Sequence, residues 1–91
     1  MKYYVYILLT SDNTYYTGYT NDVEKRINVH NNGNGAKYTK CRLPVKLIYK
    51  EEFDSKSDAM KREYQIKQLT RKQKENLIFG WDIYILVNYA I

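Results

Sequence analysis

Ninety-one residues, 44% hydrophobic and 27% charged, describe one folded domain with a modest core and leave no room for a second. The lone Cys41 excludes an internal disulfide and a cysteine-based zinc cluster, and no apolar run reaches the roughly 20 residues that cross a bilayer. Without a signal peptide at the start, and with a net charge of +5, the expectation is a cytoplasmic protein away from membranes whose charge suits a polyanion.

Tyr3-Tyr4-Val5-Tyr6-Ile7-Leu8-Leu9 is β-branched, aromatic and aliphatic, as a buried strand is. Thr10 to Asn13 supply turn residues, and Thr14 to Thr20 read as the returning strand. A loop over Ser11 to Asn13 sets Tyr6 opposite Gly18 and Leu8 opposite Tyr16. Tyr6 and Tyr16 then share a face as diagonal neighbours over the bare backbone of Gly18, with room for something small. Asn21 as N-cap with Glu24 three residues on predicts a capping box, and Val23, Ile27 and His30 recur at helical spacing. Arg26 and His30, four apart, are neighbours on one flank. Asn31-Asn32-Gly33-Asn34-Gly35 ends the helix.

Residues 36–44 read as a loop, and Val45 to about Phe53 as a third strand. Asp54-Ser55 caps a helix from Lys56 to Leu69, and Thr70 caps a shorter one to Ile78, stopped by Gly80. The order ββαβαα predicts an α/β fold in which helices flank a three-stranded, mainly antiparallel sheet. Residues 1–80 form the domain. The apolar tail from Trp81 to Ile91 is expected to pack on that domain, on a second copy in a homodimer or on another protein, because an open apolar patch invites association.

Glu63 falls between Ala59 and Met60 on the helical wheel, inside the stripe that Ala59 and Ile66 define. A carboxylate turned toward a core is costly unless it is paired or holds a cation. Arg26 or a nearby Lys is one partner; a magnesium ion completed by waters and a phosphate is the other. His30, on the stripe with Val23 and Ile27, reads as a satisfied, half-buried imidazole. Residues 37–46 carry Lys37, Lys40, Arg42 and Lys46 without an acid, and 61–74 carry six bases against Glu63. Interleaved with Tyr38 and Tyr64, these blocks suit phosphate-backbone contacts with some stacking.

Val5-Tyr6-Ile7 and Tyr16-Thr17-Gly18, followed by Arg26, His30 and Glu63, resemble the GIY-YIG nuclease superfamily, above all its small stand-alone bacterial members. The resemblance runs from about Lys2 to Ile78. Its most specific stretches are His30-Asn31-Asn32-Gly33-Asn34-Gly35-Ala36-Lys37-Tyr38-Thr39 and Pro44 to Tyr49. Val5 and Thr17 replace a glycine and an isoleucine at packing positions. Tyr19 stands where some members have a lysine, and Asn76 is a candidate for the family's late asparagine.

The resemblance implies a magnesium- or manganese-dependent DNA endonuclease, structure-selective or repair-related, with one metal on Glu63. Its implied catalytic residues are Tyr6, Tyr16, Arg26, His30 and Glu63. The basic blocks add Lys37, Tyr38, Lys40, Arg42 and Lys67 as nucleic-acid contacts. A nucleic-acid-binding module with little catalysis is the alternative, and an interaction domain built on the tail is a third.

Overall fold

The computed structural model describes residues 1–80. Strand β1 (Tyr3–Leu9) and strand β2 (Tyr15–Thr20) pair antiparallel with Tyr6 opposite Gly18 and Leu8 opposite Tyr16, the register that the turn length predicts. Asn13 closes the turn in the left-handed region at φ 65°, a conformation that asparagine tolerates. Thr10 ties the corner together, since its hydroxyl meets Asp12 Oδ1 at 2.5 Å and accepts from the Thr14 amide at 3.0 Å.

Strand β3 (Lys46–Phe53) pairs antiparallel with the other edge of β1, through an irregularity between Ile7 and Leu8. The order is therefore β2-β1-β3, with the most apolar strand in the middle. Helices α1 (Val23–Asn31), α3 (Lys56–Lys67) and α4 (Arg71–Phe79) complete the expected order, joined by one unexpected turn of helix, α2 (Lys37–Lys40).

Alternation along β1 makes two cores. Val5 and Ile7 pack with Ala59 and Ile66 of α3, all completely buried. Tyr6 and Leu8, on the opposite face, pack with Val45, Leu47 and Ile27 of α1. Arg62 forks onto Glu51 at 2.8 and 3.0 Å and so ties α3 to β3. The Tyr49 hydroxyl donates to the same carboxylate, and burial together with Glu51 pushes this phenol up to about 12. Helix α4 has no fully buried residue. Leu77 and Ile78 pack half-buried against the Val5–Ile66 core, and Arg71 tethers the helix as well, donating to the Asn13 carbonyl at 2.8 Å while its guanidinium lies 4.4 Å over the Tyr15 ring.

The helix starts correct two expectations. Asp22, not Asn21, caps α1 by accepting from the Lys25 amide, because its carboxylate stands one residue nearer the first turn. The segment 36–44 is not all loop: Thr39 donates to the Ala36 carbonyl through its amide and again through its hydroxyl, and these bonds close α2. Ser55 caps α3, Thr70 opens α4 with a full capping box, and Gly80 ends it at φ 70°. The expected unit 81–91 and its packing lie outside the described residues. Among the described residues no helix is long and apolar enough to cross a membrane.

Ile66 sits at the centre of the α3–sheet contact with no exposed surface. Replacing it with Ala is expected to lower unfolding free energy by about 2–5 kcal/mol, read as a shift of the urea midpoint at unchanged slope.

Candidate active site

Tyr6, on the central strand, is 1% exposed. A side-chain carbon at Gly18 would lie 2.5 Å from its hydroxyl oxygen, so glycine makes room for the phenol itself. The bare patch expected to receive something small is filled by Tyr6. Tyr16 lies beside it, half-buried, with ring centroids 6.4 Å apart.

His30 comes from the last turn of α1 and is completely buried. Its Nε2 meets the Tyr6 hydroxyl at 3.0 Å, and its Nδ1 meets the Thr39 hydroxyl at 2.8 Å. Thr39 donates in turn to the Ala36 carbonyl at 2.9 Å. Gly35 is forced by closeness, because a side-chain carbon there would stand 2.3 Å from Nδ1. The His30 ring also meets the Tyr16 ring edge-on at a centroid distance of 5.2 Å. Thr39, Ala36 and Gly35 escaped the residue-by-residue reading, although they lie inside its most specific stretch.

Arg26, one helical turn before His30, brings its guanidinium charge to bear on the Tyr6 phenol. Burial pushes the Tyr6 phenol above its ordinary range, and Arg26 offsets part of that rise. Tyr16 is likewise raised by burial, with Arg26 opposing and Glu63 adding to the shift. His30 is lowered, first by burial and then by the Arg26 charge. At neutral pH the site therefore holds two neutral phenols, a neutral imidazole and a fixed guanidinium.

Glu63 approaches from α3, which packs on the opposite face of the sheet, yet its charge acts on both phenols. Its side chain is 20% exposed, and its ion pair among the described residues is with Lys67 at 3.6 Å, not with Arg26. An i,i+4 pair at that distance is weak and exchangeable. No cluster of three or more His, Cys, Asp or Glu exists among the described residues. One carboxylate with no second acid, His or Cys grouped beside it fits a hard cation that keeps waters and takes phosphate oxygens, magnesium or manganese, and does not fit zinc.

Tyr3, Tyr19, Thr20, Asn21, Arg26 and Lys56 line an open cleft of about 490 Å³. No acid lines it. Tyr19 thus stands beside Arg26, whereas Asn76 is half-buried on α4. Lys56 was not singled out beforehand; its place at the first turn of α3 was visible, but its approach to Arg26 needs the fold.

Lys37 and Lys40 are exposed on α2. Tyr38 is 41% exposed and stacks on Tyr16 at a centroid distance of 6.0 Å. Arg42 is held rather than free: its Nε pairs with Asp12 at 3.0 Å, its Nη1 donates to the Tyr38 carbonyl at 2.7 Å, and its guanidinium lies 4.1 Å over the Tyr38 ring. Lys67 sits against Glu63, apart from this group in sequence and element.

His30 is the chain's one histidine, so its titration is readable in stability. Its folded pKa lies below the ordinary 6.5. Below that value the unfolded chain binds a proton that the folded chain refuses, so stability is full above it and falls as pH drops toward the folded pKa. Urea unfolding should show stability declining between about pH 7 and 5, and His30→Gln should flatten the curve over that interval.

The residues from Tyr6 to Glu63 all fall within 2–76, the span matched by the family described as the GIY-YIG catalytic domain. A UPF0213 protein of Staphylococcus saprophyticus is 58% identical over 77 residues, covering 85% of this chain and 94% of the relative. One from Halobacterium salinarum is 61% identical over 75 residues, covering 82% and 97%. The solution NMR structure of a UPF0213 protein from Bacillus halodurans matches at 46% identity with a TM-score of 0.58, over 93% of this chain and 92% of that one. That of a protein from E. faecalis matches at 43% identity with a TM-score of 0.61, over 89% and 86%. With a match over most of its length and relatives this close, the chain belongs to the GIY-YIG family.

Proposed function

We propose that this protein is a metal-dependent DNA endonuclease that hydrolyses phosphodiester bonds at a site formed by Tyr6, Tyr16, Arg26, His30 and Glu63. The observation that supports it most is the buried Tyr6–His30 hydrogen bond beside Arg26. Placing an imidazole, a phenol and a guanidinium together under cover costs stability, and such clusters of shifted groups gather at working sites.

Tyr16 is the phenol that meets the attacking water, since it is the more accessible of the two and its hydroxyl is not tied to His30. Tyr6 accepts the water's proton as it hands its own to His30, and Arg26 steadies the charge on Tyr6 and on the phosphate oxygens. Glu63 would hold the divalent cation, which supplies a Lewis acid for a phosphate oxygen and turns the field at both phenols from negative to positive. The cleft between Arg26 and Lys56 is open to the strand on either side of the cleaved bond.

Lys37 and Lys40 carry the contact with the phosphate backbone, and Arg42 shapes the Tyr38 platform on which a base stacks. Replacing Lys37 and Lys40 together with Ala should weaken binding to all sequences alike and reduce the salt slope by about two. An unchanged slope would remove α2 from the interface.

Activity is tested with rigorously purified protein on single-stranded, duplex, flap and branched DNA, with and without magnesium. Cleavage should require the cation, and the panel identifies the preferred structure. Arg26→Ala is expected to lower the rate about 10²–10³-fold. Glu63→Gln should abolish cation-dependent cleavage while binding and folding persist; a variant that still cuts at near wild-type rate removes Glu63 as the ligand. Binding without cleavage on every substrate would instead favour a nucleic-acid-binding module.

A further inference from the structure

Thr39 is completely buried, and nothing in the nuclease reading uses it. Its hydroxyl has one hydrogen and two neighbours, His30 Nδ1 at 2.8 Å and the Ala36 carbonyl at 2.9 Å. Two arrangements of the hydrogens are open to this group. In one, Thr39 donates to Nδ1, His30 carries its proton on Nε2, and that proton points at the Tyr6 oxygen. The Tyr6 oxygen also faces the Arg26 guanidinium, which only donates. Among the described residues the Tyr6 hydrogen would then have no acceptor, in a site where Tyr6 is 1% exposed.

In the other arrangement every hydrogen finds a partner. Thr39 donates to the Ala36 carbonyl, Nδ1–H donates to Thr39, and Tyr6 donates to Nε2. Full pairing of buried polar groups selects this second arrangement. Its two ends rest on glycines, Gly35 beneath Nδ1 and Gly18 beneath the Tyr6 hydroxyl, and neither position accommodates a side-chain carbon.

We propose that Thr39 is a positioning residue that fixes His30 as the Nδ1–H tautomer, so that Nε2 always presents a lone pair to Tyr6. The proposal rests on the nuclease reading for its consequence. As the attacking water forms its bond to phosphorus, its proton moves to Tyr6, the Tyr6 proton moves to Nε2, and Nδ1 keeps its own. The bond from phosphorus to the leaving oxygen breaks. The Nε2 proton then returns through Tyr6 to that oxygen, which leaves His30 neutral again. With the other tautomer Nε2 already carries a proton and the path is closed.

The single histidine makes the tautomer directly visible. In full-length protein labelled with ¹⁵N in the imidazole, long-range ¹⁵N–¹H spectra at pH 7.5 should show Nδ1 protonated and Nε2 bare. Thr39→Val, close in shape but without the hydroxyl, should give the other tautomer or an average of the two. Cleavage should fall about 10–100-fold with DNA affinity unchanged. Thr39→Ser should restore both the spectrum and the rate, which separates lost positioning from lost packing. Tyr6→Phe provides the converse control: with Thr39 intact, Nδ1 should stay protonated.

A wild-type spectrum with the proton on Nε2, or a Thr39→Val spectrum identical to wild type, overturns the assignment. So does a tautomer that changes in Tyr6→Phe but not in Thr39→Val. If the wild-type protein cuts none of the substrates, the nuclease reading falls, and the spectra still decide whether Thr39 sets the tautomer.

Discussion

The contact on which the rest depends is the Tyr6 phenol lying flat against the backbone of Gly18 with its hydroxyl on His30. That contact requires β1 in the centre of the sheet, a register placing a glycine across from a tyrosine, and a helix crossing the same face. A slip of one residue between β1 and β2 would turn Tyr6 toward α3 and bring a side chain under the ring. The packing thus enforces the register as firmly as the turn does. Gly35 repeats the device on the other side of His30, where the chain passes too close for any side chain. A buried imidazole held between two such approaches has little freedom to tilt.

The charges of the site come from opposite sides of the sheet. Arg26 rides on α1, over the Tyr6 face, and Glu63 on α3, over the Val5 face. They do not pair with one another, and each acts on the same two phenols with opposite sign. A direct ion pair would have left neither group available to a ligand. The carboxylate's weak link to Lys67 is of a kind that a divalent cation displaces.

The basic surface is narrower than the residue list implies. Arg42 is bound to Asp12, Arg62 to Glu51 and Arg71 to Glu75, so three arginines of the acid-poor blocks serve the fold. The acids that hold them lie elsewhere in the sequence for Arg42 and Arg62, at Asp12 and Glu51. Lys37 and Lys40 stand out by contrast as exposed cations next to the Tyr38–Tyr16 stack. A patch of two lysines and an aromatic plane suits backbone contact with stacking rather than reading of base edges.

The sequence alone determined most of the architecture. Strand composition and turn length were enough for the hairpin and its register, and Ser55, Thr70 and Gly80 marked helix ends because capping and left-handed termini are local chemistry. Tyr6, Tyr16, Arg26, His30 and Glu63 could be named as candidates through half-motifs, helical spacing and the family resemblance, which are properties of short stretches. What only tertiary structure decided is which groups share a hydrogen or a charge. The Thr39–His30–Tyr6 chain spans three elements, and the burial that keeps His30 neutral exists only once those elements pack. The pairing of Arg42 with Asp12 joins positions 30 residues apart. Local rules act over a few residues, whereas a hydrogen-bond partner in a folded chain is chosen by proximity in space, and burial then gives that choice its energetic weight.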